Sequence, residues 1–141
     1  MKKKAFTRKL WQFVMDSSSL INIEKNMRIK YLKQRKDEIL LSERVAYEVA
    51  YHPKIKKNDP LRQFVLKNPE VITQFQDNEE DEYLRILTQQ GIDDGEASAM
   101  AIALNRGFPL VIDERNTKAK GKANNHGIKT LSWSEFCKIG Y

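Results

Sequence analysis

Cysteine is nearly absent from this 141-residue chain, which carries only Cys137. One cysteine excludes an internal disulfide and any all-cysteine metal site, and makes a reducing, cytoplasmic setting the default expectation. No stretch approaches the roughly 20 apolar residues that a membrane helix needs. Met1 to Lys4 is basic like the start of a signal peptide, but Arg8, Lys9, Gln12 and Asp16 break up any apolar segment that would follow. Histidine is scarce, and His52 and His126 lack metal-pair spacing. Neither Gly-X-Gly-X-X-Gly nor Gly-X-X-X-X-Gly-Lys-Ser/Thr occurs, which removes the common phosphate-cradling loops of nucleotide cofactors and NTPases. Ser17–Ser19 has no flanking glycines to form a hydrolase elbow. No repeat and no Pro/Gly/Ser-rich linker divides the chain, so one domain over residues 1–141 is expected, with a basic tail at about 1–10.

What is present is charge, unevenly placed. Charged residues make up 31% of the chain and hydrophobic residues 40%, with a mean hydropathy of −0.63. That is polar for a globular protein, yet apolar clusters recur throughout, which argues against disorder. Residues 1–70 hold 17 Lys and Arg against 8 Asp and Glu, a net of +9, whereas residues 71–141 carry a net of −3. A basic half points to a polyanionic partner, most simply nucleic acid.

Short β-prone runs at Gln12–Met15, Ile39–Leu41, Val71–Phe75, Leu110–Ile112 and Ile128–Leu131 alternate with longer stretches of helical spacing. Such alternation predicts βα units around a mostly parallel sheet. Ser17–Ser19 offers N-cap hydroxyls before Leu20 and Ile23, and Ser42 offers one before Val45, Ala46 and Val49. Pro60 suits the first position of a helix carrying Leu61, Phe64 and Val65. The acidic run Asp77–Glu82 suits the N-terminal dipole of a helix with Tyr83, Leu84 and Leu87. The clearest helix, Glu96–Arg106, ends at Gly107 and puts Ala97, Met100, Ala101 and Leu104 on one side.

Two strands lead directly into aspartate: Phe13-Val14-Met15-Asp16 and Leu110-Val111-Ile112-Asp113. In open parallel sheets, ligands gather beyond the carboxyl ends of strands where strand order reverses. Glu48, in the helix after the second strand, and Glu96, opening the helix before Leu110, could approach the same edge. Each acid also has a plain structural role open to it. Asp16 and Asp113 could cap helices, Glu48 could be a solvated face residue, and Asp93 with Glu96 has capping-box spacing. Packed together, however, carboxylates repel and raise one another's pKa unless a cation neutralises them. Oxygen-only ligands select hard ions such as Mg²⁺ or Mn²⁺. Carboxylates around one or two such ions are a usual arrangement for phosphodiester hydrolysis.

Four segments in order resemble the PIN-domain family. Val14-Met15-Asp16-Ser17-Ser18-Ser19-Leu20-Ile21 is similar to its opening strand and helix. Ile39-Leu40-Leu41-Ser42 with Val45-Ala46-Tyr47-Glu48-Val49 resembles its second strand and acidic helix. Gly95-Glu96-Ala97-Ser98-Ala99-Met100-Ala101-Ile102-Ala103 resembles its Gly-Glu-Ala helix, and Leu110-Val111-Ile112-Asp113-Glu114-Arg115 its closing strand and acidic residue. The resemblance implies a three-layer α/β/α sandwich around a mostly parallel sheet of four to five strands. It implies a Mg²⁺- or Mn²⁺-dependent endoribonuclease and, in many bacterial members, the toxin of a toxin–antitoxin pair. An RNA substrate, a small antitoxin protein and a homodimer are the partners this suggests. Carried over by position, Asp16, Glu48, Glu96 and Asp113 become the catalytic, metal-binding carboxylates. The segment from His52 to Pro69 matches no tight motif, and Asp94 and Glu114 stand close enough in sequence to take the places of Glu96 and Asp113. The same fold without productive geometry would be a catalytically inactive module binding RNA or protein. A receiver-type domain fits less well, since it wants paired acids after its first strand, where Ser17–Ser19 stand.

Other features have structural readings beside functional ones. Lys118, Lys120 and Lys122 read as a solvated helix face or as phosphate contacts, and Asn116 and Thr117 as a cap or as positioning groups. Tyr47 and Tyr51 share one side of a helix near Glu48, where core packing is expected and base stacking is the alternative. Trp11, Trp133 and Phe136 are expected to anchor the chain ends.

Overall fold

All five apolar runs become strands of one sheet in the computed structural model, which describes residues 12–113 and 115–139. Strands β1 (Phe13–Met15), β2 (Ile39–Ser42), β3 (Ile72–Thr73), β4 (Leu110–Val111) and β5 (Thr130–Leu131) lie in the order β3-β2-β1-β4-β5. Every pairing is parallel. The central three strands are fully buried, which is why they read as unbroken apolar runs rather than alternating ones. The edge strands are shorter than their runs. Ile128 is drawn off to close the preceding helix, its amide donating to the Ala123 carbonyl at 2.9 Å.

Eight helices connect and follow the strands: α1 (Ser17–Lys25), α2 (Ile29–Gln34), α3 (Glu43–Ala46, continuing through a π turn, Tyr47–Tyr51), α4 (Pro60–Lys67), α5 (Glu79–Leu87), α6 (Asp94–Arg106), α7 (Thr117–Asn125) and α8 (Trp133–Lys138). Right-handed crossovers place the β1-to-β3 connections on one face and, once the chain reverses across the sheet, the β3-to-β5 connections on the other. The packing agrees. Helices α1, α2, α4, α8 and the π turn touch one another, while α6 lies on β1, β2 and β4 beneath α5. This is the expected three-layer sandwich, with a sheet that is wholly parallel.

Helix α6 departs from the one-sided pattern expected of it. Every residue from Ala97 to Ala103 is buried, because the helix is enclosed between the sheet and α5. Alanine at four of those seven positions lets it lie that close. Gly107 ends it in the left-handed region at φ +73°, a conformation costly for a residue with a Cβ. The cap of α1 is Asp16, one of the two caps expected there. Asp16, not a serine, accepts from the Ser19 amide, leaving the Ser17 and Ser18 hydroxyls for other partners. Helices α2 and α8 were not signalled by periodicity, being only six residues each.

Two buried polar ties fasten the layers. The fully buried Glu79 carboxylate accepts from Arg106 Nε at 2.8 Å and Asn105 Nδ2 at 2.8 Å, joining the start of α5 to the end of α6. The buried Arg35 guanidinium lies 4.1 Å from the Phe136 ring centroid, and Phe136 meets Phe13 edge-on at 5.3 Å. Phe136 thus anchors α8 as expected, and Trp133 packs partly buried against the same core. Trp11, the basic tail and Glu114 lie outside the described residues. Among the described residues no helix is long and apolar enough to cross a membrane.

Candidate active site

The chain leaves β1 for β2 on one side and later enters β4 on the other, so the sheet's switch point lies between β1 and β4. Val14 pairs with Leu110 and Met15 with Val111, and the Asp16 amide donates to the Val111 carbonyl at 3.2 Å. Adjacent strands run about 4.8 Å apart. Asp16 and Asp113 therefore leave the sheet from neighbouring strands at one carboxyl edge, both with buried side chains.

Helix α1 organises what gathers there. Its Ser18 hydroxyl donates to Asp16 Oδ2 at 3.0 Å, its Ser17 hydroxyl to Glu48 Oε1 at 2.8 Å, and its Asn22 amide to Asp113 Oδ2 at 3.0 Å. One helix thus touches three of the four acids from three separate segments. Glu48 comes in from the π turn, a form often found at functional sites. Its carboxylate rests against Gly95, where a Cβ would overlap Oε1. Glu96 forms the expected capping box with Asp93 and also accepts a hydrogen bond from Asn116 Nδ2. Asn116 caps α7 with its other amide atom, which is the expected capping role.

A family profile described as PIN domain matches residues 12–132. The chain belongs to the PIN-domain family. PIN domains are in general nucleases, and the matched span takes in all four acids. A search of curated proteins finds no match.

Within this PIN domain the acids divide into two electrostatic classes. Burial pushes Asp16 up to about 6, against the pull of the Ser19 and Ser18 hydrogen bonds, and the charge of Glu96 adds to the rise. Burial likewise raises Glu48, partly offset by the Ser17 hydroxyl and reinforced by Asp93 and Asp94. Glu96 is raised by burial, with the charges of Asp93 and Glu48 adding to it. Among the described residues none of these three forms an ion pair. Asp113 is the opposite case. The Arg115 guanidinium holds it below the usual carboxylate range, with Nη2 3.0 Å from Oδ2, and Asn22 adds to the effect.

The donor chemistry fits a hard divalent cation: oxygen atoms only, three acids short of countercharge, and a sheet edge suited to a ligand. The arrangement is looser than a finished coordination sphere. Among the described residues no three His, Cys, Asp or Glu side chains stand arranged to hold a metal ion. Of the substitutes considered from sequence, Asp94 points elsewhere, accepting from Arg44 at 3.1 Å and from the Tyr83 hydroxyl. Glu114 lies outside the described residues.

Sequence reasoning missed Asn22, Gly95 and Arg115, and misplaced Ser17. One signal was present: Ser18 and Asn22 stand four apart on α1, on a polar stripe beside the buried Leu20 and Ile23. The expected core packing of Tyr47 and Tyr51 is also corrected, since both rings are about half exposed. Lys118 and Lys120 are exposed, as a solvated face requires.

Proposed function

We propose that this PIN domain hydrolyses RNA phosphodiester bonds with Mg²⁺ or Mn²⁺ held by Asp16, Glu48, Glu96 and Asp113. One observation supports this above the others: Glu96 lies near enough to Asp16 and to Glu48 for their charges to raise one another, and none of the three has a cationic partner among the described residues. Such a cluster weakens the fold unless a cation joins it. When bound, a divalent ion supplies Lewis-acid stabilisation of charge on the phosphoryl oxygens and a more acidic water. The chain's own residues supply the positioning. Ser18 and Ser19 fix Asp16, Ser17 and Gly95 fix Glu48, and Asn116 fixes Glu96. Arg115, its side chain largely exposed beside Asp113, brings positive charge to the edge where a phosphate would arrive. The net +9 of residues 1–70 favours a nucleic-acid substrate. A toxin role, an antitoxin partner and a homodimer belong to the same proposal and rest on the family resemblance alone.

The test uses 5′-labelled single-stranded RNA in Mg²⁺ or Mn²⁺ with wild type, Asp16→Asn and Asp113→Asn. Wild type is expected to leave 5′-phosphate and 3′-hydroxyl ends. Each variant is expected to be about 100-fold slower or more, the scale of losing a main electrostatic stabiliser. Equal cleavage by all three removes these residues from the mechanism.

The Asp113–Arg115 ion pair favours a second reading, a non-catalytic module that binds RNA or protein. Calorimetric titration separates the two: no divalent-metal binding at millimolar concentration supports the module.

A further inference from the structure

Beside Glu48 the surface opens into a cleft of about 840 Å³ between the α3 segment and α5. Glu48 lines this cleft and its carboxylate also meets Ser17 and Gly95 on the side of the acids. Tyr47 stands in the wall and is 51% exposed. Val45, Ala46, Val49 and Ala50 take the buried side of this segment and leave Tyr47 outside. The His52 amide reaches back five residues to the Tyr47 carbonyl at 2.9 Å, and the Tyr47 and His52 rings meet edge to face with centroids 5.7 Å apart. Phe75 and Tyr83 form another part of the wall, their rings 5.4 Å apart, and Arg44 covers Tyr83 at 5.0 Å.

The charges of the lining are selective. Arg44 is already paired with Asp94, leaving the carboxylates of Glu43 and Glu80 at the rim. An acidic rim repels a phosphate. It accepts hydrogen bonds from the exocyclic amino group of a nucleobase, while an exposed tyrosine offers the flat partner that any base can stack on. Single-stranded RNA presents such unstacked bases.

We infer that this cleft is a nucleobase subsite: an unpaired nucleotide next to the scissile phosphate stacks its base on Tyr47 and turns an amino-bearing edge to Glu43 and Glu80. The inference rests on the RNA-cleaving reading for the placement of the phosphate, and on the cleft alone for the base. Adenine, cytosine and guanine carry the amino group, and uracil lacks it, so the subsite discriminates against uracil.

The probe is a single-stranded RNA tetramer with phosphorothioate linkages, carrying the fluorescent amino-bearing base 2-aminopurine at each position in turn. Stacking on wild-type protein is expected to quench it at one position. Tyr47→Ala is expected to remove the quench and weaken binding roughly tenfold or more, within the usual range for one lost base–aromatic stack. Tyr47→Phe should retain it, as should Tyr51→Ala, because Tyr51 is exposed but does not line the cleft. A tetramer with uracil at that position should bind more weakly.

A quench unchanged in Tyr47→Ala, or no binding of the tetramer, overturns the inference. So does Tyr47-dependent binding of an arginine-rich peptide in place of RNA, which assigns the cleft to a protein partner. Quenching with no RNA cleavage in Mg²⁺ or Mn²⁺ defeats the nuclease reading and leaves the subsite standing. Cleavage with no Tyr47-dependent quench does the reverse.

Discussion

The Ser17 hydroxyl donates to Glu48 across 31 residues of sequence, and Gly95 backs the same carboxylate from a third segment. Gly95 sits in the first turn of α6, so its missing side chain looks like a helix defect until Glu48 is placed against it. Gly95→Ala should push the carboxylate off Ser17 rather than move the backbone, because the flexible end of Glu48 gives way first. The melting temperature should hold or rise slightly, since alanine is the better helix former by up to about 1 kcal/mol. RNA cleavage should fall by roughly tenfold or more, on the scale expected for a misplaced group. Parallel thermal melts and cleavage assays check this, and unchanged cleavage would show that Glu48 needs no fixed position.

Asp16→Asn should stabilise the metal-free protein. Asp16 is 1% exposed with a pKa raised to about 6, so at pH 7.5 the folded state holds a buried charge that it disfavours. Asparagine caps a helix as well as aspartate and carries no charge. The gain should be on the order of 1–3 kcal/mol. Added Mg²⁺ should then raise the melting temperature of wild type by more than that of the variant, read by differential scanning fluorimetry.

Arg106→Ala should destabilise by about 3–5 kcal/mol, because it leaves the buried Glu79 carboxylate without its cationic partner. The pH dependence has a definite sign. Burial alone would raise Glu79, but hydrogen bonds from Arg106, the Gln76 amide and Asn105 carry it below its ordinary 4.5. That stability is present above pH 4.5 and is lost as the pH falls through the lower folded value. Urea titrations should show a wide gap between wild type and variant at pH 7 and a narrower one at pH 3.

The sheet was legible because parallel strands buried on both faces must be apolar throughout, and Leu110–Val111 or Phe13–Met15 can be little else. The four acids were legible because charge directly after such a run has only the strand end to go to. Their partners were not. Three serines after an aspartate look like competing caps, and only the folded α1 shows that Asp16 takes the cap while Ser17 turns to Glu48. Tyr47 and Tyr51 do share one side of their helix, but Val45, Ala46, Val49 and Ala50 take the buried side and leave both tyrosines about half exposed. Arg115 is two residues from Asp113 in sequence, yet nothing in the pattern says that its guanidinium folds back onto that carboxylate.

Manganese titration followed by electron paramagnetic resonance tests most directly whether these acids share a cation. Wild type should remove free Mn²⁺ signal at millimolar concentration or below, and Asp16→Asn should bind at least roughly tenfold more weakly, the scale on which even the hydrogen-bonding partners of metal ligands matter. Equal Mn²⁺ binding by both proteins, or none by wild type, would contradict a metal centre at the ends of β1 and β4.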